Sequence, residues 1–316
     1  MTAYIIKRVL AILPTLFFVL AISFFAVRFI PGDPASVLLG DMATTQQVER
    51  LKAELGLDRP VLVQFGKYIV RVFQGDFGQS IIYHLPVGRL IWSRTETTAS
   101  LAVFTMVIIL CLGLPAGVLA AVKPNTLLDQ SFLVIVLCGA SFPTFWFGLL
   151  VMMAFAVALR WFPTSGFVSI LGTGNLANLR YLVLPAVTLG FSNSALLARM
   201  TRASMLEVLG EDYVSTARSK GLRERTVVLK HAFRNAAIPI LTIVLFTFAG
   251  LLAGTAITET VFALPGIGLL LVQSVMQRDY PCIQAVMVVV AFLYLFISLV
   301  TDITYALLDP RIHYGE

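Results

Sequence analysis

Ser141, Ser192, Ser194 and Cys138 are the residue types that nucleophilic catalysis would use, and all four lie in long apolar stretches of the chain. A nucleophile needs a base or an acidic partner within reach, and none of those stretches carries Asp, Glu, Lys, Arg or His. The other chemistry-bearing patterns are equally bare. Cys111, Cys138 and Cys282 form neither a C-x-x-C pair nor an even framework. His84, His231 and His313 stand apart from one another and from carboxylate clusters, so neither a zinc site nor a disulfide scaffold follows. No G-x-x-x-x-G-K-[ST] phosphate loop occurs, and a G-x-G-x-x-A run from Gly172 to Ala177 lacks a preceding strand pattern and reads as a turn. The sequence predicts no catalytic residue, no directly bound cofactor and no metal.

The informative spacing lies in the basic stretch from Met200 to Pro239. Glu207, Glu211 and Asp212 precede the run Tyr213 to Lys220, and Gly221 closes it. Acids at the start, bases at the end and a glycine at the C′ position predict a short helix aligned with its own dipole. Ser215, Thr216, Ala217 and Ser219 are small enough for another protein surface to approach the helix backbone, and Arg218, Lys220, Arg223 and Arg225 are placed to grip acidic groups on it. A second amphipathic stretch, Val227 to Ala237, leads to Pro239, which suits the first turn of a following helix. Cations alone would mark only the side of a membrane. The helix, its glycine stop and its small face point further, to a docking helix carried by Tyr213, Ser215, Thr216, Ala217, Arg218, Lys220 and Gly221.

The elements that hold this segment must be membrane helices. Of 316 residues, 58% are hydrophobic and 13% charged, too apolar a balance for an ordinary soluble domain. The net charge of +6 does not indicate a nucleic-acid partner, because many of the cations sit at the ends of apolar runs and not on a polar domain. Runs long enough to cross a bilayer lie near Val9 to Val27, Ala99 to Val122, Ser131 to Leu159, Tyr181 to Ala198, Ile238 to Thr258 and Ile283 to Thr301. The first is too long for a secretory signal core and no small-residue cleavage site follows it, so it reads as a retained span. The loop between spans four and five holds eight cations, Arg199, Arg202, Arg218, Lys220, Arg223, Arg225, Lys230 and Arg234, and is expected in the cytoplasm. Six spans then place both termini there too, with the segment from Pro31 to Thr98 outside.

That outer segment is expected to contain a helix from Thr45 to Leu55, with Thr45 as N-cap and Gly56 as its stop, and another around Val61 to Phe73. Gly113-x-x-x-Gly117 and Gly250-x-x-x-Gly254 allow close helix packing, by default within the chain. Pro115, Pro143 and Pro185 read as kinks in spans two, three and four. The stretch Glu259 to Pro281, with Pro265, Gly266 and Gly268 at its turn and an apolar run to Met276, reads either as a turn plus amphipathic helix at the outer face, able to line a pore mouth or gate, or as a plain connecting loop. Without an ionisable group in any span, coupling to a proton or sodium gradient is disfavoured, and the driving energy is expected from elsewhere.

The run Tyr213-Val-Ser-Thr-Ala-Arg-Ser-Lys-Gly-Leu222, followed by His231-Ala-Phe-Arg-Asn-Ala-Ala-Ile-Pro239, resembles the cytosolic coupling motif of permease subunits of binding-protein-dependent ABC importers, in their dipeptide, oligopeptide and nickel branch. Pro31-Gly-Asp-Pro34, Leu55-Gly-Leu-Asp-Arg-Pro60, Gly75-Asp-Phe-Gly-Gln-Ser80, Glu259-Thr-Val-Phe-Ala-Leu-Pro-Gly-Ile-Gly268, Arg278-Asp-Tyr-Pro281 and Asp309-Pro-Arg311 extend the resemblance over essentially the whole chain. Ser215 occupies the position of the general motif's Glu and Thr216 that of its first Ala, while Ala217 and Gly221 keep the pattern.

The resemblance implies an all-α polytopic permease with six transmembrane helices, short outer-face helices and a cytosolic coupling helix. It implies a first span plus extracytoplasmic segment over residues 1–98 and a five-helix core over 99–316, with the coupling loop at 200–239. The expected partners are a second homologous permease subunit, two cytosolic ABC ATPase subunits that bind and hydrolyse ATP, an extracytoplasmic substrate-binding protein, the lipid bilayer and a peptide substrate. The expected place is the bacterial cytoplasmic (inner) membrane, and the expected action is alternating access by a non-catalytic subunit. Nickel complexes or glutathione-like compounds are the alternative cargo, and an ion-coupled secondary carrier is the rival mechanism.

Overall fold

Long apolar runs leave the backbone one way to satisfy its N–H and C=O groups within a single segment in lipid, which is the α-helix. A computed structural model describes residues 2–28, 44–46, 49–50, 58–127, 129–131, 134 and 141–308. Among these, the only β pairing is an isolated bridge between Gln79 and Pro86. The helices are α1 (Thr2–Arg28), α2 (Val61–Phe73), α3 (Val87–Val122), α4 (Thr144–Val151, continuing as a π-helical stretch Met152–Ala158), α5 (Arg180–Leu209) and α6 (Asp212–Ser219). They are followed by α7 (Phe233–Gly254, entered through Glu224–Thr226 and a π-helical stretch Val227–Ala232), α8 (Ala256–Val261), α9 (Ile267–Met276) and α10 (Tyr280–Leu308).

Among the described residues, five helical segments are long and apolar enough to cross a membrane: Leu10–Arg28, Val87–Val122, Leu176–Leu209, Glu224–Gly254 and Tyr280–Thr304. The third expected span is described as a shorter apolar helix, Thr144–Ala158, with the rest of the Ser131 to Leu159 run lying largely outside the described residues. The 36 residues of α3 measure about 54 Å at 1.5 Å per residue, well beyond the ~30 Å hydrocarbon core, so this helix projects from the bilayer.

Proline sets three of the helix starts. Pro60, Pro86 and Pro143 each stand at the N-cap of α2, α3 and α4, with φ between −52° and −57° and extended ψ. A proline has no N–H to leave unpaired there, and its fixed φ suits the entry. Pro143 thus stands at a break between the helical Ser141 and α4. Pro239 departs from expectation. It lies inside α7 and not in a first turn, because the amphipathic stretch before it winds continuously into the span. Pro115 and Pro185 are also inside their helices. In the outer segment, Thr45, Gln46, Glu49 and Arg50 are helical, while the remainder of the expected Thr45 to Leu55 helix lies outside the described residues.

The core is built where Leu101 and Ile109 of α3 lie against Leu182 and Leu197 of α5, with Val151 of α4 and Ile240 and Leu251 of α7 completing it. Gly113 and Gly117 set how closely α3 approaches. A Cβ at Gly113 would sit 3.1 Å from Leu197, and one at Gly117 2.5 Å from the carbonyl oxygen of Ala198. Gly250 and Gly254 on α7 meet nothing within 4 Å and lie on an exposed face. α10 packs on α7 and on α1, and an ion pair between Arg8 and Asp302 joins the first and last helices.

Candidate functional site

α6 is a short helix with well-defined ends. Glu211 precedes it in extended conformation and Asp212 fills its first turn, where an acid opposes the helix dipole. At its other end, Gly221 has φ +76°, its N–H donates to Arg218 O at 2.9 Å, and Leu222 N–H donates to Ala217 O at 3.4 Å. These paired bonds make a Schellman stop. A Cβ at Gly221 would meet nothing within 4 Å, so the left-handed backbone demands glycine there and crowding does not.

The expected docking residues divide by face. Val214 and Ala217 are buried against Val227, with Val208 and Leu209 of α5 packed beside them. Ala217 is thus small because it faces inward, and the exposed small face is Ser215, Thr216 and Ser219. Tyr213 turns toward the entry of α7, where its hydroxyl accepts from Asn235 Nδ2 at 2.6 Å and donates to His231 O at 3.5 Å. Arg218 is committed within the chain, with Nη2 to Glu224 Oε1 at 2.8 Å and Nε to Oε2 at 3.2 Å. The Glu224 carboxylate raises the Arg218 pKa further above its ordinary value. Lys220, Arg223 and Arg225 are exposed and enter no ion pair among the described residues.

Two anchors fix the position of α6. One is its apolar face, and the other is Arg202 near the end of α5, which pairs with Asp129 in the connection after α3. Neither the ion pair nor the Arg218–Glu224 pair follows from spacing along the chain, because each joins residues from different elements.

At the opposite end of the bundle, α8 and α9 form a hairpin that carries Pro265, Gly266 and Gly268. Glu259 is fully buried there. Its Oε1 accepts from Thr98 Oγ1 and Thr255 Oγ1, each at 2.8 Å, and its Oε2 accepts from Leu269 N–H at 2.8 Å. A Cβ at Gly266 would lie 2.3 Å from that carboxylate, and one at Gly268 2.5 Å from Ala256 Cα, so both glycines are places where other groups occupy the side-chain space. Glu96 of α3 likewise accepts the N–H groups of Ile170 and Leu171 and the hydroxyl of Ser169. Asp279, also fully buried, accepts from Ser80 and from Ile81 N–H. Sequence reasoning met Glu259 and Asp279 only as members of short motifs and did not single out Glu96. A signal for one was available: Glu259 is the only charged residue between Ile238 and Gln277.

Within the bilayer-length helices, Ser194 Oγ is buried and finds no hydrogen-bond partner among the described residues. No base or acid activates it. The arrangement suits a transport protein: an apolar bundle, a short surface helix fastened to two spans at one end and a carboxylate-fastened hairpin at the other.

Comparison with known proteins decides which kind. Residues 113–314 match the family described as binding-protein-dependent transport system inner membrane component, and residues 1–102 match the N-terminal model of the same transport system membrane component. The chain belongs to this family. It is an ABC importer permease and a multi-pass inner membrane protein. A Brucella suis biovar 1 protein named as a peptide transport system permease is 42% identical to it, over 99% of this chain and 100% of the relative. The glutathione transport system permease protein of Escherichia coli (strain K12) is 43% identical over the same shares. In fold, the permease is similar to a chain of the inward-facing MetNI methionine ABC transporter, with a TM-score of 0.55 and 18% identity, covering 70% of this permease and 96% of that chain.

Proposed function

We infer that this permease is one of two pore-forming subunits of an importer for di- or oligopeptides, and that α6 is where its ATPase docks. The observation that carries the reading is the form of α6: a rigid helix with an exposed face of Ser215, Thr216 and Ser219, bonded at Tyr213 to the entry of α7 and packed at Val214 and Ala217 on α5. A partner that grips this face moves two spans together. Lys220, Arg223 and Arg225 offer exposed cations to acidic groups beside it. ATP is bound and hydrolysed by two cytosolic subunits and not by this chain, substrate arrives on an extracytoplasmic binding protein, and a homologous permease forms the other half of the pathway. Both termini and α6 face the cytoplasm, in keeping with the loop's eight cations and with the Arg8–Asp302 pair that brings the ends of α1 and α10 together. Residues 1–98 supply the first span and outer segment, and 99–316 the five-span core. Peptide cargo is favoured by the relatives' names, one for peptides and one for glutathione, itself a peptide. Glutathione-like compounds are therefore the second reading.

The test is Ser215→Trp in the assembled importer. The position is exposed, so the permease is expected to insert normally while substrate uptake falls at least tenfold and ATP hydrolysis loses its dependence on substrate-loaded binding protein. Uptake at the unmodified rate would sink the docking assignment. Identifying ligands that co-purify with the cognate binding protein separates peptides from glutathione-like compounds.

A further inference from the structure

Helix α9 is fastened at both ends by buried carboxylates, and both fastenings lead to the outer end of α3. At its first turn, Ile267 N–H donates to Thr98 Oγ1 at 2.9 Å, Thr98 in turn donates to Glu259 Oε1, and Glu259 Oε2 accepts from Leu269 N–H. Beyond its last turn, Asp279 accepts from the Ser80 hydroxyl, from Ile81 N–H at 3.2 Å and from Cys282 N–H at 3.4 Å at the start of α10. Ser80 and Ile81 lead into α3, and Thr98 lies within it. The two helices therefore run antiparallel between the two fastenings. Between them, Ile267 and Leu270 pack with Val87, Leu90 and Ile91, and Tyr83 Oη donates to Gln273 Oε1 at 3.2 Å.

The corners that flank α9 are strained. Ala263 (φ +46°) ends α8 and Arg278 (φ +56°) ends α9, each at the left-handed position of a Schellman stop where glycine is the usual residue. Strain of this kind persists only where surrounding contacts over-determine the backbone. Here the backbones of the two carboxylate-bearing residues close those corners, the Glu259 main-chain carbonyl accepting Leu264 N–H at 2.8 Å and Asp279 N–H donating to Ser274 O at 2.9 Å, and their buried side chains fasten the same residues to their surroundings.

We propose that Glu259 and Asp279 are positioning residues that make α9, the first turn of α10 and residues 80–98 a single body through the transport cycle. This rests on the alternating-access reading. When the pathway opens to the outer side, the body is displaced whole, and α9 does not swing as a separate flap over the pore mouth. The outer gate is then the edge of this body.

Nitroxide labels at Trp92 and Met276, both 80% exposed, measure the body directly by double electron–electron resonance, in full-length permease carrying Cys111→Ser and Cys138→Ser. In the assembled importer the expected result is one narrow distance distribution, the same without nucleotide and when trapped with an ATP analogue and binding protein. A shift of more than about 5 Å, one helical turn, between those states overturns the proposal. The same labels in the isolated permease in nanodiscs need no ATPase, so this arm stands or falls separately from the docking assignment. There Glu259→Gln and Asp279→Asn are expected to broaden the distribution at least twofold. Thr98→Val, close to isosteric and therefore the safer variant to fold, is expected to do the same. Distributions as narrow as the unmodified one in Thr98→Val and Asp279→Asn would equally overturn it.

Discussion

Arg202 closes on Asp129 through two parallel bonds, Nε to Oδ1 at 2.6 Å and Nη2 to Oδ2 at 2.7 Å, tying the connection after α3 to the last turns of α5. Asn125 N–H adds a third donor to Oδ2 at 3.0 Å, and Asp129 is only 2% exposed. The pair sits where α5 hands over to α6, so it fixes the base from which the docking helix projects. One of the eight cations that mark the loop's sidedness thus has a structural partner of its own.

The pair makes stability depend on pH in a stated direction. The Arg202 guanidinium first, and the Asn125 N–H after it, hold the Asp129 carboxyl below its ordinary pKa. A carboxyl lowered by folding stabilises the folded chain fully above its ordinary pKa and loses that contribution as pH falls through the lowered value. Thermal unfolding of the permease in detergent is expected to show a midpoint several degrees above that of Asp129→Asn at neutral pH. The gap should close on acidification through the carboxylate range. A gap that stays constant would mean the charge of Asp129 is not what matters.

Gly117 and Gly250 belong to the same sequence pattern and have opposite surroundings. A Cβ at Gly117 meets Ala198 O at 2.5 Å and Thr201 Cβ at 2.6 Å, whereas one at Gly250 meets nothing. Gly117→Ala is expected to destabilise the isolated permease by about 1–3 kcal/mol through overpacking of α3 on α5. Gly250→Ala should leave the isolated chain within experimental error and act, if at all, only in the assembled importer. Equal midpoints for the two variants would contradict the packing.

How much of this was legible in the sequence follows from which forces act locally. The boundaries of α2 and α6, the stop at Gly221 and the helix after Gly266 are set by proline, glycine and charge within a few residues, and they read directly from the chain. The inward turn of Ala217 did not, because a small residue on a short helix suits either an exposed docking face or close packing until Val227 is brought beside it. Pro239 misled because a proline at a helix start and one inside a continuous helix look alike when the preceding segment is amphipathic. Asp129, Glu259 and Asp279 gain their roles only from Arg202, Thr98 and Ser80, which lie far away in sequence.

Gly221 should discriminate between two substitutions that differ in their tolerance of a left-handed backbone. Its φ of +76° lies where asparagine is tolerated and a β-branched residue is not. Gly221→Asn is expected to keep uptake within about twofold of the unmodified importer, an effect below roughly 0.5 kcal/mol. Gly221→Val forces about 1–2 kcal/mol of backbone strain or unwinds the last turn of α6. Its expected signature is reduced uptake per ATP hydrolysed with normal membrane insertion. Equal coupling by both variants would show that the helix stop does not set the docking geometry.

Tyr213 is, beside the Arg218–Glu224 ion pair, a direct polar link between α6 and the entry of α7, and it tests whether motion passes by that route. Asn235 Nδ2 donates to its hydroxyl at 2.6 Å and also to His231 O at 3.2 Å, so the tyrosine closes a small network over the π-helical stretch Val227–Ala232. Tyr213→Phe keeps the ring and removes only the hydroxyl, at a cost of about 0.5–1.5 kcal/mol. Asn235 retains His231 O as an acceptor, so the fold should survive. If α6 drives α7 through this contact, uptake per ATP hydrolysed falls severalfold while ATP turnover persists, and Asn235→Leu reproduces the effect without adding to it in the double variant. Additive losses would place the two residues on separate routes, and unchanged uptake per ATP hydrolysed would assign the drive to the apolar contact of Val214 and Ala217 together with the Arg218–Glu224 pair.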